Sequence, residues 1–203
     1  MIKFVFQGDS ITDANRNRDD ERNYGYGYPN FVAGELLKKY PHKFEFVNEG
    51  ISGDRIVDVY ARMKSDILNH KPDYMSILIG VNDVWHEYGC QNGVADDKFE
   101  KIYSMLIEDI KAALPETKIF IMEPFLLFGT ATAREEDPSR WETFKTETPI
   151  RAAVAKRVAE KFGLPFIELQ SVINEAAKQT AENYVLGDGV HPTVYGHTII
   201  AKE

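Results

Sequence analysis

The sequence predicts a three-layer α/β/α sandwich in which a five-stranded parallel sheet is covered by helices on both faces. Short apolar runs rich in β-branched and aromatic residues alternate with longer segments of helical period along the chain. Strict alternation of this kind implies right-handed crossover connections and a parallel sheet. The length of 203 residues suits one domain, and no repeat or Ser/Gly-rich linker divides it. We therefore expect a single domain over residues 1–203.

Five segments have the composition of buried strands. Each carries several consecutive apolar residues and is bounded by turn-forming or polar residues. The predicted strands are residues 2–6, 44–47, 74–79, 119–122 and 165–167. We expect a flavodoxin-like order of these strands, which is one of the common orders of doubly wound sheets.

Helices are predicted between these strands. The clearest apolar stripe, with a period of about 3.6 residues, consists of Phe99, Ile102, Leu106, Ile110 and Leu114. The proline that follows this stripe ends the helix. The other predicted helices are residues 28–40, 56–68, 149–162 and 171–180, with a last helix from about Thr193. Residues 125–146 contain a glycine, Pro138 and a mixed-charge run, and are predicted to be a long irregular segment.

The composition argues against several classes of function. A formal net charge of −8 disfavours binding to nucleic acid or to an anionic membrane surface, since both require a basic patch. No apolar run approaches the ~20 residues of a membrane-spanning helix, and the first apolar run is too short for a signal peptide. We therefore expect a soluble, cytoplasmic protein. The single cysteine, Cys90, has no zinc-site spacing around it, so no metal site is expected.

Polar and glycine-rich segments follow the first three predicted strands, and another lies near the C-terminus. In an open parallel sheet, ligands bind beyond the carboxyl ends of the strands, so a functional site is expected in these segments. They are Gly8-Asp9-Ser10, Asn48-Glu49-Gly50-Ile51-Ser52-Gly53, Gly80-Val81-Asn82-Asp83 and Asp188-Gly189-Val190-His191-Pro192.

Ser10, His191 and Asp188 supply the groups that activate a serine nucleophile. A serine hydroxyl needs a base to take its proton, and the base needs a partner that holds its tautomer. Asp188 and His191 are close enough in the chain for the carboxylate to meet Nδ1 of the imidazole. Nε2 is then free to face a serine on another loop. We therefore predict catalytic roles for all three residues in acyl transfer.

Three hydrogen-bond donors are predicted to stabilise the negative charge that develops on the substrate oxygen. The backbone N–H of Ser10 lies at a strand-to-helix turn, and Gly53 offers a backbone N–H that a substrate can approach closely. Asn82 adds a side-chain amide from a third loop at the same edge of the sheet. Ser10, Gly53 and Asn82 are thus the predicted oxyanion hole.

These four segments resemble, in order and in type, the blocks of the SGNH (GDSL-type) hydrolase family, which is named after Ser, Gly, Asn and His. The resemblance extends over nearly the whole chain, residues 7–197. It implies an SGNH hydrolase fold, with the catalytic triad and the oxyanion hole at the positions predicted above. The first block departs from the family pattern at Ile11, where leucine is common.

Within that family, residues 50–53 and 80–85 are most similar to bacterial acetylesterases that act on xylo-oligosaccharides and related carbohydrates. This similarity implies an ester hydrolase that removes acetyl or other short acyl groups from sugars. It further implies an acetylated sugar as the small-molecule partner and no metal or organic cofactor. Similar esterases commonly form homo-oligomers.

Aromatic residues near the predicted site are candidates for contact with a sugar. Trp85 and the loop that contains Tyr26 offer rings for stacking, although ordinary packing explains these residues equally well. His86, one helical turn after the predicted oxyanion-hole asparagine, is a third candidate. Asp9 is interpreted as a structural hydrogen-bonding residue. The remaining histidines are interpreted as surface or structural residues: His42, His70 and His197.

Two groups of alternative functions are compatible with the same sequence. A lysophospholipase or thioesterase would use the same triad with a longer acyl chain, for which the apolar loop at residues 125–128 offers a channel. A non-catalytic carbohydrate-binding module or a phospho-receiver-like module would use only the fold. A receiver needs a lysine after the fifth strand, where this chain has Glu168.

Overall fold

The chain folds around an open parallel sheet. A computed structural model describes residues 1–20 and 22–203. In this part of the chain the sheet has five strands in the order β2-β1-β3-β4-β5, which confirms the predicted flavodoxin-like order. The strands are β1 (Ile2–Gly8), β2 (Phe44–Asn48), β3 (Tyr74–Leu78), β4 (Lys118–Met122) and β5 (Phe166–Ile167).

Helices connect the strands and cover the sheet. Among the described residues, no helix combines the length and the apolarity that crossing a membrane would require. The helices are α1 (Ser10–Asp13), α2 (Tyr28–Lys39), α3 (Ile56–Ala61), α4 (Val81–Cys90), α5 (Asp96–Ala113), α6 (Pro138–Phe162), α7 (Gln170–Gln179), α8 (Glu182–Val185) and α9 (Val194–Lys202).

The hydrophobic core has two parts, one on each face of the sheet. Successive side chains of a strand point to opposite faces, so neighbouring residues of β1 enter different parts of the core. Phe6 and Phe46 pack with α2, α7 and α9 on one face. Val5, Ile77 and Ile121 pack with α3, α5 and α6 on the other. The predicted three-layer sandwich is thereby confirmed.

The predicted helix at residues 56–68 is wrong as a continuous element. The α3 helix ends at Ala61, and a separate π-helical turn covers Lys64–Leu68. Arg62, the C-cap of α3, directs its guanidinium group to the Asp54 carboxylate and the Gln7 side chain. These contacts with other parts of the chain accompany the break. The prediction missed the break because it used the apolar stripe of the segment, which carries no information about polar contacts.

The predicted boundary between the irregular segment at residues 125–146 and the helix at residues 149–162 is wrong. The α6 helix begins at Pro138, so only the first part of the supposed irregular segment is irregular. Pro138 suits the first helical turn, where a backbone N–H has no partner within the helix. Pro149 does not start a helix but lies inside one. Buried residues lie on both sides of the proline: Phe144 packs against Trp85 of α4, and Val158 belongs to the core on the other face of the sheet.

The α4 helix was not predicted, because its burial is not periodic. The buried residues of α4 are four consecutive positions in its first turn, Val81 to Val84, and the rest of the helix is more exposed. An amphipathic helix is recognised by apolar residues that recur along one face. A helix that is buried only at its N-terminus lacks that pattern.

We expect the Ile77→Ala variant to lower the free energy of unfolding by about 2–5 kcal/mol. Ile77 is fully buried in the central part of the sheet, so its truncation leaves a cavity. Met105 lies on α5 and is 44% exposed, which makes Met105→Ala a matched large-to-small control with an expected change within about 0.5 kcal/mol. Urea denaturation measures both variants, and equal losses would contradict the assigned core.

Candidate active site

Ser10 is placed at the carboxyl edge of the sheet by a tight turn from β1 into α1. Asp9 caps this short helix, since its carboxylate accepts a hydrogen bond of 3.0 Å from the backbone N–H of Ile11. Asp9 is almost fully buried, and its burial raises its pKa to about 7. The structural hydrogen-bonding role predicted for Asp9 is confirmed.

Ser10, His191 and Asp188 form one chain of hydrogen bonds. Ser10 Oγ lies 2.9 Å from Nε2 of His191, so the hydroxyl can donate to the unprotonated ring nitrogen. Nδ1 of His191 lies 2.7 Å from Oδ2 of Asp188, to which it donates. The structure thus brings together all three residues of the predicted triad, in the order that a general base requires.

The loop that carries Asp188 is tightly held. Oδ1 of Asp188 accepts hydrogen bonds from the backbone N–H groups of Val190 (2.9 Å) and His191 (2.8 Å). The carbonyl of Asp188 accepts a further bond of 2.8 Å from Ala131 N–H. Gly129 packs so closely that a Cβ there would overlap the Asp188 carbonyl group. The carboxylate is therefore fixed by the backbone around it.

The electrostatics of this pair favour an ionised aspartate and a basic histidine. Burial alone would raise the pKa of Asp188, but hydrogen bonds from the His191 ring and from the backbone N–H groups of His191 and Val190 outweigh it. They lower the pKa of Asp188 to about 2. The hydrogen bond to Asp188 raises the pKa of His191 above 6.5, although burial opposes this effect. Asp188 therefore holds the proton on Nδ1, and Nε2 is the basic atom.

Ser10, Gly53 and Asn82 come from the three neighbouring loops, as predicted. Within residues 1–20 and 22–203, the backbone N–H groups of Ser10 and Gly53 donate to no acceptor. Gly53 adopts a positive φ of +88°, a conformation that residues other than glycine rarely adopt. Asn82 lies in the first turn of α4 and donates one amide hydrogen to the carbonyl of Asp54 at 3.1 Å. That bond orients the amide, and among the described residues its second hydrogen has no acceptor.

Two buried polar residues that support these loops were not singled out from the sequence. Asn48 ends β2 and donates to the carbonyls of Thr12 (2.7 Å) and Tyr24 (2.9 Å), which ties the second loop to the first. Asp83, in the first turn of α4, is fully buried and accepts a hydrogen bond of 3.1 Å from Ile56 N–H. Burial raises the pKa of Asp83 well above its usual range. A polar residue at the end of an apolar strand was the available signal for Asn48.

A cavity of about 220 Å³ opens beside Ser10. Tyr26 lines it, whereas the other two predicted substrate-binding residues do not. Trp85 packs with its ring centroid 6.1 Å from that of His191. His86 lies near Gly53, with Nε2 4.0 Å from the position that a Cβ there would take. In the described parts of the chain, no three His, Cys, Asp or Glu side chains are grouped so as to hold a metal ion.

The apolar loop at residues 125–128 does not line this cavity. Phe125, Leu126 and Leu127 are buried in the core, beneath the surface of the protein. Phe128 is exposed and packs edge-on against Trp141, with ring centroids 5.3 Å apart. This loop therefore provides no apolar channel next to Ser10.

His197 lines the same cavity, although the sequence did not single it out as a site residue. It is only 2% exposed, and its Nδ1 accepts a hydrogen bond of 3.1 Å from the backbone N–H of Tyr28. Burial, together with a smaller effect of the nearby His191, lowers the pKa of His197 to about 4. The available signal was its place on α9, the helix that follows directly from the turn containing His191.

The fold and the order of these segments define a class of α/β proteins with a candidate nucleophilic serine at the carboxyl edge of the sheet. A model of the GDSL-like lipase/acylhydrolase family matches residues 6–199, nearly the whole chain. The chain therefore belongs to the GDSL-like lipase/acylhydrolase family, and the predicted family membership is confirmed.

Relatives within the family specify the class of reaction. An acetylxylan esterase from Geobacillus stearothermophilus is 35% identical over 209 residues, which cover 98% of this chain and 90% of the relative. A GDSL-like lipase from Parabacteroides merdae is 34% identical in sequence. Its crystal structure superposes with a TM-score of 0.90, and the match covers 99% of this chain and 92% of that one. A catalytic mutant of the Geobacillus enzyme is 33% identical with a TM-score of 0.85, covering 99% and 91%. The chain is a carboxylic ester hydrolase.

We expect the pKa values of the two cavity histidines to lie on opposite sides of the usual value of about 6.5. Since the Asp188 carboxylate stabilises the charged ring, the pKa of His191 should lie above that value and fall in an Asp188→Asn variant. The buried ring of His197 should stay neutral down to a pH of about 4 in both proteins. Imidazole resonances followed by NMR measure both values, and a pKa of His191 that is insensitive to the Asp188 substitution would contradict the assigned ion pair.

Proposed function

We propose that this ester hydrolase removes acetyl groups from carbohydrates such as acetylated xylo-oligosaccharides, with Ser10 as nucleophile. The observation that carries the proposal is the hydrogen-bonded chain from Ser10 Oγ through His191 to Asp188, with distances of 2.9 and 2.7 Å. Residues 1–203 are proposed to act as one domain, because the predicted site residues come from both ends of the chain.

The first half of the proposed reaction forms an acyl-enzyme. Ser10 Oγ attacks the carbonyl carbon of the ester while its proton passes to Nε2 of His191. Ionised Asp188 stabilises the imidazolium that results. The oxyanion accepts hydrogen bonds from the backbone N–H groups of Ser10 and Gly53 and from the amide of Asn82. The C–O bond to the sugar then breaks, and the alcohol leaves with the proton from His191.

The second half of the proposed reaction releases the acyl group. His191 takes a proton from a water molecule, whose oxygen attacks the carbonyl carbon of the acyl-enzyme. The same three donors stabilise the second oxyanion. The bond to Ser10 Oγ breaks, and His191 returns the proton to the serine, so that acetate leaves and the enzyme is restored.

Two findings support the choice of acetate and of a sugar. The Geobacillus relative is an acetylxylan esterase, and its solved structures include catalytic mutants in which an aspartate or a serine is replaced by alanine. Those residue types agree with Asp188 and Ser10. The cavity beside Ser10 is small, and Asn15, Tyr26 and Ser52 give its wall polar groups that suit a hydroxylated alcohol.

The alternative of a lysophospholipase or long-chain thioesterase is less consistent with the same cavity. A long acyl chain requires a continuous apolar channel from the nucleophile, and pockets that enclose larger ligands are mostly apolar. The apolar residues of the loop 125–128 that suggested such a channel are largely buried in the core. We therefore propose a short acyl group.

The Ser10→Ala variant is expected to lose activity by at least about 10³-fold without loss of the fold, since removal of the nucleophile leaves only binding and oxyanion stabilisation. Ser171→Ala, which changes an exposed serine on α7, is the control. Both are assayed on 4-nitrophenyl acetate, butyrate and octanoate and for acetate release from acetylated xylo-oligosaccharides. Preference for octanoate would contradict the proposed acyl group, and activity retained in Ser10→Ala would remove Ser10 from the mechanism.

The Asn82→Ala variant is expected to lower kcat by at least about tenfold, since single oxyanion-hole donors in other hydrolases contribute up to about 10²–10³. KM should change less, because the amide acts mainly on the charged oxygen of the transition state. The control is Asn69→Ala, at an exposed asparagine remote in sequence from the site loops. Thermal denaturation followed by circular dichroism reports the effect of losing the bond to Asp54. An unchanged kcat in the folded variant would exclude Asn82 from the oxyanion hole.

A further inference from the structure

The wall of the cavity beside Ser10 carries a histidine that the proposed mechanism does not use. His197 lines the cavity together with Ser10 and His191, and only 2% of its surface is exposed. Its ring packs edge-on against the ring of Tyr26, with centroids 6.4 Å apart. A polar side chain buried at the wall of a ligand cavity needs a hydrogen-bond partner for each of its polar atoms.

The hydrogen bond from Tyr28 determines which nitrogen of His197 carries the proton. A backbone N–H can only donate, so Nδ1 of His197 must accept the bond of 3.1 Å and is unprotonated. In the neutral ring the proton is therefore on Nε2. Among the described residues, that Nε2 takes part in no hydrogen bond, and it is not one of the fully buried side-chain atoms that lack a partner.

His197 keeps this tautomer throughout the pH range in which an unprotonated His191 is present. Burial lowers the pKa of His197 to about 4, so the ring is neutral above that pH. A neutral donor hydrogen-bonds to a ligand oxygen without repelling the imidazolium that forms on His191. The second histidine of the cavity is thus suited to binding and unsuited to proton transfer.

The oxygen atoms of an acetate ester determine what Nε2–H can bind. The carbonyl oxygen is occupied by the proposed oxyanion hole of Ser10, Gly53 and Asn82, and the acetyl methyl group has no lone pair. The bridging oxygen of the ester receives the proton from His191 as the alcohol leaves. The remaining acceptors are the hydroxyl groups and the ring oxygen of a sugar alcohol. An acceptor for Nε2–H at the cavity wall is therefore provided by these oxygen atoms of the alcohol part.

We propose that His197 is a specificity-determining residue whose Nε2–H donates a hydrogen bond to an oxygen of the alcohol part of the ester. This inference rests on the proposed function, because it takes Ser10 as the point where the ester is cleaved. Asn15 and Tyr26 extend the same wall, and Asn15 donates to the Tyr26 hydroxyl at 3.2 Å. Ala14 and Asn15 both adopt positive φ, a conformation that costs free energy and that places Asn15 at this wall.

Two substitutions of His197 separate its two nitrogen atoms. His197→Asn provides an oxygen near the position of Nδ1, which accepts from Tyr28 N–H, but has no donor near Nε2. His197→Gln provides an amide N–H near Nε2 and loses the acceptor for Tyr28. A structural role of His197 would therefore be disturbed mainly by glutamine, and a role in substrate recognition mainly by asparagine.

The variants are assayed on 4-nitrophenyl acetate, on glyceryl monoacetate and on acetylated xylo-oligosaccharides, with Ser10→Ala as the blank. We expect His197→Asn to raise KM for the two hydroxylated esters about five- to tenfold, as for one lost hydrogen bond, with kcat within about twofold. KM for 4-nitrophenyl acetate, whose alcohol part lacks free hydroxyl groups, should stay within about twofold. His197→Gln should retain the KM values for the hydroxylated esters.

The possible outcomes distinguish this inference from the proposed function. Equal changes of KM on all three esters, or none on any, in folded His197→Asn would overturn the role of His197. Wild-type activity on glyceryl monoacetate without acetate release from the oligosaccharides would contradict the proposed substrate, and the glyceryl and aryl esters would still test His197. Absence of Ser10-dependent hydrolysis on every ester would overturn both.

Discussion

Parallel pairing of β1 with β2 on one side and with β3 on the other is the constraint on which the site depends. Phe6 pairs with Asn48, and Gly8 pairs with Leu78, so all three strands end at the same edge of the sheet. The three loops that leave this edge carry the serine, the glycine and the asparagine of the candidate site. Residues far apart in the chain thus become neighbours through the register of the sheet.

Loops that converge in this way bury polar groups, and the molecule satisfies them with a hydrogen-bond network beneath the site. Arg62 donates to the Asp54 carboxylate at 2.6 Å, to the Gln7 side chain at 2.7 Å and to the Glu49 carbonyl at 2.9 Å. Asp54 in turn offers its carbonyl to Asn82. These hydrogen bonds offset the free-energy cost of burying the guanidinium group. A rigid network of this kind would hold the proposed oxyanion donors in place before the reaction starts.

His191 and His197 line one cavity, yet their surroundings give them opposite properties. His191 faces a carboxylate that stabilises its charged form, which raises its pKa and makes the ring more basic. His197 accepts a hydrogen bond from a backbone N–H, which fixes its tautomer, and its burial keeps it neutral. The protonation state of a histidine therefore depends on its hydrogen-bond partner and on how deeply the ring is buried.

The sequence by itself determined the five strands, their parallel arrangement and the local pair of Asp188 and His191. These features depend on neighbouring residues: alternating apolar runs predict strands, and a spacing of three positions lets a carboxylate meet an imidazole within one turn. The family blocks added the assignment of Ser10, Gly53 and Asn82 to one site. The sequence did not predict the break after α3, the extension of α6 through Pro149 or the burial of His197.

Only the tertiary structure decided which distant groups meet and how strongly water is excluded from them. Ser10 lies 2.9 Å from a histidine that is 181 positions away in the chain, and Arg62, at the end of α3, donates to Asp54 and to Gln7 of β1. Periodicity of apolar residues reports that one face of an element is buried, but it does not report what that face contacts. Hydrogen-bond partners and pKa values depend on those contacts, which exist only after the chain has folded.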